Sequence, residues 1–167
     1  ARKLFPALYT LFNEAYFEHF QIIGFARRPW SNAEFKDIVK TAVLGPQAQA
    51  DKKLDSFLKS FSYVQAPFDS DEGYIALKNL IPQEHQLIHY LATAPEFFPL
   101  VADKLLSHGL SSKSRPHSSQ VQTRIVVEKP FGHNGHEAEK LNKVFQASFY
   151  EKDIYRIDHY LGKESSQ

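Results

Sequence analysis

Hydrophobic positions along this chain alternate between helical spacing and short compact runs. Leu4, Leu8, Leu11 and Ala15 recur every three or four residues with Phe5 and Phe12 beside them, which predicts an amphipathic helix almost from the first residue. Pro6 is compatible with that helix only in its first turn, where its missing N–H is not needed. Phe20–Ala26 (FQIIGFA) is short and mostly apolar, the pattern of a buried strand. Ser31 followed by Glu34 is a capping-box signature, and Phe35, Ile38, Val39 and Ala42 form the inner face of the helix it opens. Gly45-Pro46 ends that helix. Leu54, Phe57, Leu58 and Phe61 predict another helix, Tyr63–Ala66 a short strand, and Tyr74–Leu80 a helix stopped by Pro82.

The second half repeats the alternation. Gln86–Ala92 is a strand pattern, and Ala94-Pro95-Glu96 opens a helix through Phe97, Leu100, Val101, Leu105 and Leu106 that Gly109 ends. Ser111–Gln120 carries five serines, a proline and two basic residues without apolar periodicity, and reads as a solvent loop. Thr123–Val127 is a β-branched strand running into Glu128-Lys129-Pro130-Phe131-Gly132. Leu141, Val144, Phe145 and Phe149 mark a last helix face before a final strand over Asp153–Ile157. Strands alternating with helices imply βαβ units, hence an α/β chain with a mostly parallel sheet and helices on both faces.

Composition narrows the class. The 167 residues suit one ordinary domain, and a hydrophobic content of 43% with 23% charged residues is that of a globular chain. A net charge of +1 gives no field that would attract nucleic acid or an anionic membrane. Without cysteine there is no disulfide framework, thiolate zinc site or cysteine nucleophile, and a reducing, cytoplasmic location is the expectation. No apolar run is long enough to cross a membrane.

In parallel α/β sheets ligands sit at the carboxyl ends of strands. The residues to inspect are therefore Arg27-Arg28, Thr93-Ala94-Pro95, Lys129-Pro130 and Asp158-His159. The arginine pair is the most informative. Where a dinucleotide fold meets the adenine ribose, an acid selects the 2′-hydroxyl of NAD and an arginine the 2′-phosphate of NADP. Gly24-Phe25-Ala26-Arg27-Arg28 offers no acid, and a guanidinium makes a forked, charge-assisted bond to phosphate. On spacing alone, a solvated basic loop explains the pair as well. His85 and His89 are four apart, a metal-ligand spacing only on a helix, and His89 falls in a strand pattern. His133 and His136 flank a turn and read as surface residues.

Three motifs taken in order resemble the glucose-6-phosphate dehydrogenase family: Gly24-Phe-Ala-Arg27, Arg124-Ile-Val-Val-Glu-Lys-Pro-Phe-Gly132 and Tyr155-Arg-Ile-Asp-His-Tyr-Leu-Gly-Lys-Glu164. The last is very specific, and the likeness extends over essentially the whole chain. It implies that residues 1–167 are an NADP-binding, Rossmann-like doubly wound domain, incomplete at both ends. The implied reaction belongs to the oxidative pentose phosphate pathway: glucose 6-phosphate is oxidised at C1 to the lactone, with hydride transfer to NADP+. Carried over from the family, Arg27 holds the 2′-phosphate of NADP. Lys129 lies between nicotinamide and sugar, and His159 and Lys163 bind the substrate phosphate with Tyr160 beside them. Asp158 orients a general-base histidine. A carboxylate-held imidazole suits removal of the C1 hydroxyl proton near neutral pH. The Lys129-Pro130 bond is a candidate cis peptide.

The departures carry expectations too. The family's first strand and Gly-rich turn would precede Ala1, and its larger substrate domain would follow Gln167, so the chain looks cut at both ends. None of the eight histidines matches the catalytic base, and homo-oligomer contacts are expected to lie in the substrate domain. Without a central first strand, buried orphan groups would cost about 1–3 kcal/mol each. The expectation is that these residues alone do not fold into a cofactor-competent domain, unless they are the ordered part of a longer molecule. Two rival readings stay open. One is an NADP oxidoreductase of the glucose–fructose oxidoreductase type, which leaves Arg156–Glu164 unexplained. The other is a non-catalytic α/β scaffold.

Overall fold

In the computed structural model, residues 3–16, 19–45, 52–82, 84–114, 121–128 and 135–157 are described. The chain divides into two compact units, Ala1–Pro67 and Phe68–Gln167.

The first unit runs α1 (Leu4–Asn13), β1 (Ile22–Ala26), α2 (Asn32–Leu44), α3 (Lys52–Lys59) and β2 (Phe61–Gln65). Pro6 sits in the first turn of α1, where it removes no intrahelical bond. Strands β1 and β2 are parallel, in register from Ile22↔Phe61 to Ala26↔Gln65. The helical spacing that assigned Phe61 to the third helix is overruled: α3 stops at Lys59 and Phe61 opens β2. Phe61 is 2% exposed, and a single apolar residue two positions past a helix serves a strand's inner face equally well.

The core of this unit is built from rings. Phe5, Phe35, Val39, Leu54, Phe57, Phe61 and Tyr63 are buried, with Leu8, Tyr9, Phe12 and Phe20 packed against them. Phe57 lies 4.8 Å edge-on from Phe61 and 5.2 Å from Tyr9, within the range where ring quadrupoles favour tilted contacts. The strand expected to be buried, β1, is half-buried at every residue. Ile22 and Ala26 pack on the ring cluster and Gly24 faces it, so alternation turns Ile23 and Phe25 to the other side.

The second unit contains α4 (Asp71–Leu80), β3 (Leu87–Leu91), a 3₁₀ turn at Pro95–Phe97, α5 (Phe98–Ser107), β4 (Thr123–Glu128), α6 (Gly135–Ser148), a second 3₁₀ turn at Glu151–Asp153, and β5 (Ile154–Ile157). Its three strands are all parallel in the order β3-β4-β5. Among the described residues β1 bonds to β2 alone and β3 to β4 alone. Ser70 caps α4, its Oγ accepting the Gly73 N–H at 3.1 Å. Strand β4 alternates cleanly: Thr123, Ile125 and Val127 are buried and Arg124, Val126 and Glu128 half-buried. The other buried apolar groups include Leu87, Leu91, Phe98, Leu105, Phe145, Phe149 and Ile154.

One sequence expectation changes here. Ser111, placed in a solvent loop, is fully buried, and its N–H bonds to Ser114 Oγ at 3.0 Å. Ser112 Oγ accepts the Tyr150 N–H at 3.0 Å, and the Lys113 ammonium donates to the Gln146 carbonyl near the end of α6. Polar side chains that satisfy orphan backbone groups leave no periodic signature. Residues 115–120 of that stretch lie outside the described residues. No described helix is long and apolar enough to cross a membrane.

Candidate functional site

The carboxyl end of β1 is held from both sides. After Ala26 the chain turns through Arg27, Arg28, Pro29 and Trp30 into Ser31, the N-cap of α2. The capping box is formed in full: the Ser31 N–H reaches Glu34 Oε2 at 2.7 Å, and the Glu34 N–H reaches Ser31 Oγ at 3.2 Å. The backbone bond from Ser31, and then its hydroxyl, hold the Glu34 carboxyl below its ordinary value of 4.5. The next acid along the chain after the arginines is thereby engaged at the helix cap.

Side chains and backbone of β2 hold the turn from beneath. The Tyr63 hydroxyl lies 2.8 Å from the Arg28 carbonyl and 3.2 Å from that of Ala26, and Gln65 Nε2 is 3.5 Å from that of Arg27. Tyr63 is itself fixed, its N–H donating to Asn32 Oδ1 at 2.6 Å. Burial raises its phenol pKa, and the Arg28 charge opposes this only in part, so it stays a donor. Arg27 and Arg28 are both exposed, and the Arg28 guanidinium stands 5.1 Å over the Trp30 ring. Two exposed guanidinium groups at a strand's carboxyl end, with the next acid along the chain tied to a cap, have the chemistry to bind a phosphate by forked, charge-assisted hydrogen bonds.

The other strand ends show how the remaining motif residues are approached. Tyr90 of β3 pairs with Val126 of β4, and its hydroxyl donates to Glu128 Oε1, two residues further along the same face. Burial first, then the bond to Glu128 and its charge, push the Tyr90 pKa up to about 12. Glu128 pairs with Ile157 of β5, and these two residues directly precede Lys129 and Asp158. Lys129, Asp158, His159, Tyr160 and Lys163 lie outside the described residues, as do the Lys129-Pro130 bond, His133 and the side chain of His136. Arg156, within the last motif, lies near the end of β5. It bonds to Glu151 at 2.9 Å and to Asn142 Oδ1, and lines a hollow of about 300 Å³ between α6 and the sheet.

His85 and His89 do not share a helix, the condition under which their spacing would suit a metal. His89 lies on β3, with Nε2 2.7 Å from the Leu110 carbonyl. Among the described residues no group of three or more side chains could hold a metal ion. Sequence reasoning passed over Tyr63, Gln65 and Tyr90. The alternation of β2 and β3 tells which residues share a face, but not which carbonyl or carboxylate lies within reach.

Comparison with known proteins finds relatives that match along the whole chain. The family model "Glucose-6-phosphate dehydrogenase, NAD binding domain" matches residues 1–167. A nicotinamide dinucleotide is thus the cofactor class of the fold. The chain is 39% identical to the glucose-6-phosphate 1-dehydrogenase of Bacillus subtilis over 176 residues, covering 99% of the chain and 34% of the relative. It is 38% identical to the Kluyveromyces lactis enzyme of the same name over 173 residues, covering 98% and 33%. A solved glucose-6-phosphate dehydrogenase in complex with its substrate glucose-6-phosphate superposes with a TM-score of 0.81 at 38% identity, over 98% of this chain and 34% of that one. The Mycobacterium avium enzyme gives a TM-score of 0.80 at 28% identity, over 95% of this chain and 33% of that one. The fold is therefore Rossmann-like α/β, and the chain spans about a third of the length of the relatives it matches. On the family match and these identities, the chain belongs to the glucose-6-phosphate dehydrogenase family, in its NAD-binding domain.

Proposed function

We propose that this chain is the nucleotide-binding part of an NADP-dependent enzyme that oxidises D-glucose 6-phosphate at C1 to 6-phospho-D-glucono-1,5-lactone. The observation that carries the cofactor choice is the end of β1, where Arg27 and Arg28 are exposed and Glu34 is held in the capping box. The family match supports the reaction. When bound, the oxidised nicotinamide supplies the hydride acceptor. Arg27 holds the 2′-phosphate, and Lys129 contacts both cofactor and sugar. His159 and Lys163, with Tyr160 beside them, bind the 6-phosphate, whose distance from C1 lets binding energy go into positioning. Asp158 orients an imidazole supplied from outside these residues, which takes the C1 hydroxyl proton as hydride leaves. The reading also carries the expectations of a cytoplasmic location and a homo-oligomeric enzyme.

The test uses the complete gene product. Glucose 6-phosphate is turned over with NADP+, free glucose is not, and the product is the phosphorylated lactone. Arg27→Ala raises KM for NADP+ about ten- to hundredfold, the worth of a charge-assisted pair. Turnover of free sugars, or indifference of NADP+ binding to Arg27→Ala, overturns the proposal. The first of these outcomes points instead to the glucose–fructose oxidoreductase reading.

A further inference from the structure

We propose that Tyr63 is a positioning residue that sets the preference for the phosphorylated adenosine by holding the Arg27 turn from beneath. The inference rests on the function proposed above and adds to it a residue that does not itself touch the cofactor. Its hydroxyl spans the arginine, 3.2 Å from the carbonyl before it and 2.8 Å from the carbonyl after it. Those oxygens are the negative ends of peptide dipoles. Turned toward the phenol, they do not face an anion bound at the arginines. Ala26 O also takes the Ala66 N–H at 3.0 Å and Arg28 O the Trp30 N–H at 2.8 Å, so the hydroxyl locks a turn that backbone bonds already outline.

The ring is placed to do this by three separate features. Its backbone is tied to Asn32, its faces meet Phe35 at 5.0 Å and Trp30 at 5.8 Å, and β1 passes over it at Gly24. A Cβ at Gly24 would lie 2.9 Å from Tyr63 Cδ2, so the missing side chain is what lets the ring run along the strand and deliver its hydroxyl to the strand's end. The residue is 8% exposed, and its hydroxyl is within hydrogen-bonding distance of two backbone carbonyls, so its role is taken to run through the turn. Buried and held as a neutral donor, it has no charge to offer a phosphate. Its effect must pass through the backbone that carries Arg27.

Tyr63→Phe keeps the ring and its packing and deletes only the hydroxyl. In the complete gene product, KM for NADP+ rises about three- to tenfold, the worth of one backbone-directed hydrogen bond. The loss for NAD+ is at least threefold smaller, so the NADP+/NAD+ ratio of kcat/KM falls. In an Arg27→Ala background, Tyr63→Phe produces no further loss toward NADP+. A residue needed only for folding would lower the melting midpoint and affect both cofactors alike. Equal losses for NADP+ and NAD+, a change below twofold for both, or full additivity with Arg27→Ala each overturn the proposal and leave the dehydrogenase reading standing. A wild-type protein with no affinity for NADP+ overturns both.

Discussion

Replacing Gly24 by alanine puts one carbon where two rings already lie. An ideal Cβ there stands 2.6 Å from Phe35 Cζ, 2.9 Å from Tyr63 Cδ2 and 3.0 Å from Phe35 Cε1. Carbon atoms in contact sit about 3.5–4.0 Å apart, so each ring must retreat by up to about 1 Å. Neither has room. Phe35 is bounded by Phe5 at 6.1 Å and Phe61 at 6.2 Å, and Tyr63 is pinned by its hydroxyl and its own N–H. Overpacking of this kind costs about 1–3 kcal/mol. Alanine recovers about 0.5–1 kcal/mol relative to glycine within a strand, which leaves a net loss of up to about 2.5 kcal/mol, and about 1 kcal/mol at the middle of both ranges. Urea unfolding of the complete gene product reads this as a lower midpoint. Phe35→Leu in the same chain makes room, so the double variant is more stable than the sum of the single changes predicts, by about 1 kcal/mol. Displacing Tyr63 also loosens the Arg27 turn, so Gly24→Ala raises KM for NADP+. A variant more stable than the parent, or one with no coupling to Phe35, refutes the close approach at Gly24.

Two further outcomes follow from the protonation and capping geometry. Ser31→Ala removes one partner of the capping box and costs about 1 kcal/mol in the same unfolding assay. Because the folded Glu34 pKa is depressed, its contribution is present above its ordinary value of 4.5 and is lost as the pH falls through the lower folded value. The variant keeps the backbone bond to Glu34 but not the hydroxyl one, so its acid dependence is shallower without vanishing. An unchanged acid limb would contradict this. Tyr90 behaves in the opposite sense: its pKa is raised from 10 to about 12, so its contribution is full below pH 10 and fades as the pH rises through 12. The absorbance titration of phenolate, compared with Tyr90→Phe, assigns one tyrosine near 12. Glu128→Gln moves it part of the way back and leaves the effect of burial. A Tyr90 that ionises at the ordinary value would remove the bond to Glu128 from the account.

What local spacing can encode was legible in this chain. The helical repeat of Leu4, Leu8 and Leu11, the Ser31/Glu34 box and the β-branched run of β4 depend on neighbours a few residues away. So does the alternation of strand and helix that makes the sheets parallel, and the strand-end rule that singled out Arg27. Spacing also failed in ways that have physical causes. Phe61 satisfied helical and strand periods at once, and burial beneath the other rings decided between them. The apolar run of β1 does not become fully buried, because only one of its faces meets the ring cluster. Ser111 looked like loop and is buried, because its neighbours satisfy backbone groups of α6 and the residues after it.

The functional residues divide along the same line. Arg27, Lys129, Asp158, His159, Tyr160 and Lys163 are proposed from the sequence, because family motifs are contiguous and charge at a strand end is visible in one dimension. By itself, then, the sequence determined the α/β class and the family, and it nominated the residues proposed for the site. Only the tertiary structure decided what holds the site in place. The Tyr63 hydroxyl meets the Arg28 carbonyl 35 residues away, and Tyr90 meets Glu128 38 residues away. Such pairs are set by parallel register and by the absence of a side chain at Gly24. A hydrogen bond between distant residues exists only once the strands bearing its two ends lie side by side, and no local pattern records which strands those will be.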